Sequence, residues 1–227
     1  MRQVNARQLL DGWEAVRARP MPARGASLAA VLDDRPVGEV MRWSVTRRDR
    51  TLFELRAQLF GDALDAVTSC PACAQRLEMR LTLSEIAPPG DDVVQPEALR
   101  VGDVGVSWRA PTSEDLLAIA AVADPDEARE ALLARCIATD DPELRERAAA
   151  ALAEQPADVR LRLTCPSCGH VWSSPFDIAA FLWSELDDWA RSTLREVHTI
   201  AYAYGWTEDE ILGLSARRRR TYVEMIR

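Results

Sequence analysis

Apolar side chains along the first sixty residues recur at helical steps. Leu9, Leu10, Trp13 and Val16 fall on one face, and Leu28, Val31 and Leu32 predict a second short turn beyond a polar, proline-bearing link from Arg19 to Arg24. Leu52, Leu55 and Leu59 repeat the step with Phe53 and Phe60 beside them, and Gly61 is placed to end that helix. The period then shortens to two. Leu77, Met79, Leu81 and Leu83 alternate with Glu78, Arg80 and Thr82, and much later Val159, Leu161 and Leu163 alternate with Arg160 and Arg162, the period of half-buried strands.

Between these alternating runs the pattern changes twice. Pro88-Pro89-Gly90-Asp91-Asp92 reads as a loop and a boundary, and Leu99 to Val101 and Val104 to Trp108 read as strands around a Gly102-Asp103 turn. From Pro111 the signals are helical. Thr112 with Asp115 resembles a capping box, and Asp124-Pro125 and Asp141-Pro142 each set an N-cap before a proline at the first helical position. Leu132, Leu133, Cys136 and Ile137 predict the apolar face of the second of these helices, with Cys136 as a small core residue.

The last fifty residues predict three helices. Pro175 and Asp177 open a long one whose Leu186, Ala190, Leu194, Val197, Ala201 and Tyr204 form its apolar face, and Gly205 ends it in a left-handed conformation. Thr207 with Glu210 forms a capping box, and Trp206 with Ile211 a hydrophobic staple, for a short helix ending near Leu214. Ser215 caps a third helix with Tyr222, Val223 and Ile226 on one face and Arg217 to Arg220 around the rest.

Chemistry enters where each alternating run meets a cysteine turn. Cys70-Pro71-Ala72-Cys73 and Cys165-Pro166-Ser167-Cys168 each offer two thiolates on a tight turn, which is half of a tetrahedral zinc site. The 91 residues between the pairs exceed the gap of a compact finger, so a shared metal would clip together two distant hairpins that form a pseudo-repeat. Zinc is the expected ion, although a rubredoxin-like iron site uses the same four thiolates. Four thiolates close the coordination sphere and leave no position for a reacting water, which makes the metal structural. His170 stands two residues beyond Cys168 and could replace a thiolate, but it reads better as a surface histidine beside the turn. Neither His170 nor His198 is followed by the glutamate of the zinc deaminase signature. Disulfides are not expected: Met1 to Pro20 holds no apolar run that could serve as a signal peptide, and a cytoplasmic chain keeps its thiols reduced.

With 227 residues, 48% of them apolar and 28% charged, the chain has the composition of a globular protein able to bury its own core, and no stretch is apolar enough to span a bilayer. It holds no lysine and only two histidines, so few side chains remain for base or Schiff-base chemistry. No phosphate-cradling glycine loop, H-E-x-x-H or G-x-S-x-G is present, and the expectation is a protein that is not an enzyme and has no small-molecule substrate. The net charge of −8 is uneven: Ser84 to Asp158 carries 17 acidic against 6 basic residues, whereas Ser215 to Arg227 carries 5 arginines against Glu224. The acidic middle argues against nucleic acid as a partner. A zinc-ribbon protein that binds nucleic acid or regulates transcription through its arginine-rich terminal helices is the alternative reading.

His198, Ile200, Ala201, Tyr204, Trp206, Thr207, Glu210, Ile211, Leu214, Arg218, Arg219 and Tyr222 together resemble the closing signature of the T4-type phage baseplate hub assembly proteins, a family found also in contractile phage-tail-like injection systems. The likeness runs from His198 to Tyr222; two C-P-x-C turns and the P-T-S-x-D-L helix start at Pro111 to Leu116 give looser support. The resemblance implies a non-enzymatic component or assembly factor of a baseplate hub. It also implies other baseplate or hub proteins as partners, and a cytoplasmic protein that can be built into a phage-tail-like particle. The C-terminal helices then form a docking module in which Trp206, Arg217, Arg218, Arg219, Arg220 and Tyr222 are the partner-binding residues. The plainer reading of the same residues is a packed aromatic core and a solvated arginine face.

The expected fold is α+β and predominantly helical. Its parts are an N-terminal helical region (1–64), a first zinc hairpin with a small β region (65–110), an inserted helical block (111–156), a second zinc hairpin (157–175) and a C-terminal helical docking module (176–227). Zn²⁺ is the expected cofactor, held by Cys70, Cys73, Cys165 and Cys168.

Overall fold

The computed structural model describes residues 5–86, 98–153 and 159–226. The loop expected at Pro88 to Asp92 lies outside the described residues. The fold mixes helices and strands and is predominantly helical. Four helices come first: α1 (Ala6–Arg17), α2 (Met21–Asp33), α3 (Val37–Val40) and α4 (Val45–Phe60). Strands β1 (Ala63–Ser69) and β2 (Arg76–Thr82) lead to α5 (Leu83–Ile86), β3 (Leu99–Val101) and β4 (Val104–Trp108). The middle continues with α6 (Ser113–Ile119), α7 (Pro125–Cys136), β5 (Ile137–Ala138) and α8 (Pro142–Ala153). The chain closes with β6 (Arg160–Thr164), β7 (Val171–Pro175), α9 (Ile178–Tyr204), α10 (Glu208–Leu212) and α11 (Ala216–Ile226).

These elements divide into two compact units, Pro20–Ala179 and Met1–Arg19 with Ala180–Arg227. The central unit is organised around α2, which packs against α4 and α6. Its buried residues are mostly alanines, Ala23, Ala26, Ala29 and Ala30, and Gly25 lies so close to α4 that an added Cβ would stand 3.3 Å from Arg48 Nε. This corrects the expected short turn and the link expected to run from Arg19 to Arg24. Met21 to Arg24 are helical, because Pro22 sits in the first turn where its missing N–H costs nothing, and Val31 is exposed. Small residues make most of the face, with Leu28 buried among them as expected.

β3, β4 and β5 form one antiparallel sheet, with Gly102 at φ +65° in the turn between the first two. Val101, Val106, Cys136, Ile137, Ala148 and Ala149 make the core beneath it, against which Leu132 and Leu133 pack. Ile137 is therefore not the end of a helix face: it is extended, pairs with Trp108 and adds a third strand. Cys136 is a core residue whose thiol is pushed up by burial.

Asp115, wholly buried, ties this sheet to its helices. It accepts from Arg109 Nη2 at 2.9 Å, Arg135 Nε at 2.8 Å and the Thr112 backbone N–H at 2.9 Å, so the end of β4 and the last turn of α7 both point cations at the N-terminus of α6. The Arg109 guanidinium, with the Thr112 and Arg135 hydrogen bonds, holds the Asp115 carboxyl well below the usual carboxylate range despite its burial.

In the terminal unit, the positions of α9 that bury are Leu182, Leu186, Ala190, Thr193, Val197 and Ile200. Leu194, expected on that face, is exposed, because the helix phase gives the inward position to Thr193. Leu10, Trp13 and Val16 of α1 are buried as expected, and the Trp13 indole N–H donates to Asp187 Oδ1 at 2.8 Å. Gly205, at φ +70°, ends α9, and Thr207 and Glu210 form the reciprocal capping box that starts α10.

Candidate metal centre

The two cysteine turns are built alike. β1 and β2 pair antiparallel down to Ser69 and Arg76, and β6 and β7 down to Thr164 and Val171, so each turn closes the end of a two-stranded ladder. In the first, the Cys70 N–H donates to Gln75 O at 2.9 Å and the Ala74 N–H to Cys70 O at 2.9 Å. In the second, the Cys165 N–H donates to His170 O at 2.9 Å and the Gly169 N–H to Cys165 O at 3.0 Å. The residue after the second cysteine is left-handed in both, Ala74 at φ +58° and Gly169 at φ +72°. Each turn buries its first cysteine, Cys70 or Cys165, and exposes its second, Cys73 or Cys168.

The four sulfurs converge within 4.8 Å of one another. Cys70 Sγ lies 3.7 Å from Cys168 Sγ, and Cys73 Sγ lies 3.6 Å from Cys165 Sγ. A tetrahedral ion with metal–sulfur bonds of about 2.3 Å spaces its sulfurs by about 3.8 Å, so these donors fit a four-thiolate ion with little movement. The donor set is all sulfur, closed, and built from two separate hairpins.

The thiols respond to one another. The Cys168 backbone N–H, then that of Ser167, favours the Cys165 thiolate and lowers this group to about 7. At Cys73 the Gln75 backbone N–H also favours the thiolate, but the Cys168 thiol, burial and the thiols of Cys165 and Cys70 outweigh it and push the group up to about 12. A divalent cation among the four would reverse that resistance, since a coordinating thiol is deprotonated outright. His170 is exposed and stacks on Trp172 at 5.9 Å between ring centres; it is not one of the converging donors.

The six residues expected to bind partners lie at the end of the terminal unit. Trp206 and Tyr222 pack edge to face at 5.0 Å, and Tyr204 joins both, at 5.1 Å and 5.7 Å. Arg217, Arg218 and Arg220 are exposed on α11. Arg219 is not, which corrects the expectation of four solvated arginines: it is buried, its Nε donates to Glu196 Oε2 at 2.9 Å and its Nη1 to Leu214 O at 2.9 Å. Tyr202, at 90% exposure the most exposed large apolar residue described, stacks on His198 at 6.5 Å and was not singled out from sequence. Its place opposite the buried stripe of α9 was the signal that could have found it.

No helix among the described residues is long and apolar enough to cross a membrane. Compared with models of known protein families, with curated proteins and with solved structures, the chain matches none.

Proposed function

We propose that Cys70, Cys73, Cys165 and Cys168 hold one structural Zn²⁺ in a zinc-ribbon-like site, and that the protein is a non-enzymatic component or assembly factor of a contractile phage-tail-like baseplate hub. The convergence of four sulfurs from two hairpins within 4.8 Å carries the metal reading. Zinc suits it because a closed thiolate sphere asks nothing of the ion but charge and tetrahedral coordination. The bound ion supplies cross-linking, not chemistry. The four cysteines hold it, and the ladders behind them hold the cysteines.

The hub reading rests on the likeness of His198 to Tyr222 to the baseplate family. In that stretch the Thr207–Glu210 box and the Tyr204–Trp206–Tyr222 packing give the terminal helices a defined shape. Arg217, Arg218 and Arg220 remain exposed for an acidic hub surface. Three cations on several sides of one helix make a poor groove reader, so nucleic acid is the less favoured partner.

Two measurements test the two halves. Metal analysis of protein purified without added metal should give one zinc per chain with four thiols protected; no metal, with every thiol reactive, sinks the first half. Deleting the coding sequence in a host that makes contractile particles should abolish complete baseplates by electron microscopy, with rescue by the intact chain. Normal particles in normal yield, or tight salt-sensitive binding of the purified chain to nucleic acid, would sink the second.

A further inference from the structure

The four thiols are not equivalent, since each turn buries one and exposes the other. Two thiol–thiol contacts run between the hairpins, and each joins a buried sulfur to an exposed one: Cys70 with Cys168 at 3.7 Å, Cys165 with Cys73 at 3.6 Å. An oxidant arriving from solvent meets Cys73 and Cys168 first. Behind each stands its close neighbour from the other hairpin, placed to resolve it. A disulfide needs its sulfurs about 2.05 Å apart, so closing either pair draws the two sulfurs together by about 1.6 Å.

We propose that this centre is a hydroperoxide-reactive modification site, whose oxidation expels the metal and leaves two disulfides between the hairpins, Cys70–Cys168 and Cys73–Cys165. Metal expulsion rests on the zinc reading above; the pairing rests on the two contacts between the hairpins and on the buried sulfur that stands beside each exposed one. The thiolate of Cys73 or Cys168 attacks one peroxide oxygen, the O–O bond breaks, and the departing hydroxide takes a proton from solvent to become water. The cysteine is then a sulfenic acid. The thiolate of Cys165 or Cys70 attacks that sulfur, forming the S–S bond, and the second hydroxide leaves and is protonated to water. Each disulfide takes two electrons from a thiolate pair and reduces one peroxide to two waters. When both have formed, no thiolate remains for the cation.

The pairing decides what oxidation does to the fold. Bonds within a turn, Cys70–Cys73 and Cys165–Cys168, would leave the hairpins free of each other. The crossed pairs keep them joined after the ion has gone, so oxidation exchanges one clip for another.

The test uses the full chain loaded with zinc and treated with hydrogen peroxide, with released zinc followed by a chromogenic chelator and linkages mapped by non-reducing peptide mass spectrometry. The expected result is one zinc released as two disulfides form, both linking the hairpins. The oxidised protein should unfold at a temperature nearer that of the zinc form than that of the chelator-stripped form. Linkages within the turns, Cys70–Cys165 with Cys73–Cys168, or thiols that stay intact under peroxide would each overturn the proposal. A chain that never takes up zinc sinks the metal reading, yet the same map on the metal-free chain still decides the pairing. In Cys73→Ser, Cys165 should remain a free thiol beside an intact Cys70–Cys168 bond; recovery of Cys165–Cys168 instead would overturn it.

Discussion

Ala74 occupies in the first turn the place that Gly169 occupies in the second, and both are left-handed. An alanine in that region carries a steric cost that glycine lacks, because its Cβ crowds the following carbonyl. Ala74→Gly is expected to raise stability by about 1 kcal/mol and Gly169→Ala to lower it by about as much, read by urea unfolding. A Cβ at Gly169 would meet no atom within 4 Å, so the loss there would be backbone strain alone. The cysteines were legible from spacing, but the conformation of Ala74 was not, since nothing marks a left-handed residue when glycine is absent. Asp115 was half legible. Its capping box with Thr112 could be read locally, whereas Arg109 and Arg135 reach it only through the fold. Because its folded carboxyl sits below the ordinary value of 3.8, its contribution is fully present above that pH and is lost as pH falls below it toward the folded value. Asp115→Asn should therefore cost about 3 kcal/mol at neutral pH, and the gap to the unmodified chain should narrow below about pH 4. A gap that widens on acidification would contradict this assignment.

At the scale of elements, periodicity was a good guide wherever one face was apolar and the other charged. β2 and β6 alternate as the sequence implied, β1 and β7 pair with them, and β3 and β4 fall where the Gly102-Asp103 turn put them. It failed where burial depends on small size or on partners from afar. α2 hides alanines, and β5 exists because β4 supplies a ladder for Ile137. On α9 a leucine lost the inward position to a threonine. Leu186→Ala should accordingly cost about 3 kcal/mol, and Leu194→Ala less than about 1 kcal/mol, in the same denaturant titration. Equal losses would mean that the apolar face of α9 has been assigned to the wrong side.

Across the whole molecule charge follows the division into units: Pro20–Ala179 carries 26 acidic residues against 17 arginines, and the rest 10 against 11. No local signal in the sequence groups Met1–Arg19 with Ala180–Arg227. A metal held by the four cysteines would act at this scale too, because a two-stranded hairpin is marginal by itself and the ion would join two of them. In isolated zinc-finger peptides, binding of this kind contributes on the order of 10 kcal/mol or more to folding. Chelation should speed amide exchange in both hairpins together, and Cys70→Ser and Cys165→Ser should be equally harmful; loosening of one hairpin alone would show that the pairs do not share an ion.

The separation of the half-sites also sets an order in time. The first pair of thiols leaves the ribosome 91 residues ahead of the second, which at usual synthesis rates is a wait of about 5–20 s. During that wait β3, β4, α6, α7, β5 and α8 can collapse into their own sheet and core while Cys70 and Cys73 hold, at most, a half-coordinated ion. Closure of a shared ion would thus record that the intervening block has been made, and a chain stalled within it would keep an open pair of thiols at its first hairpin.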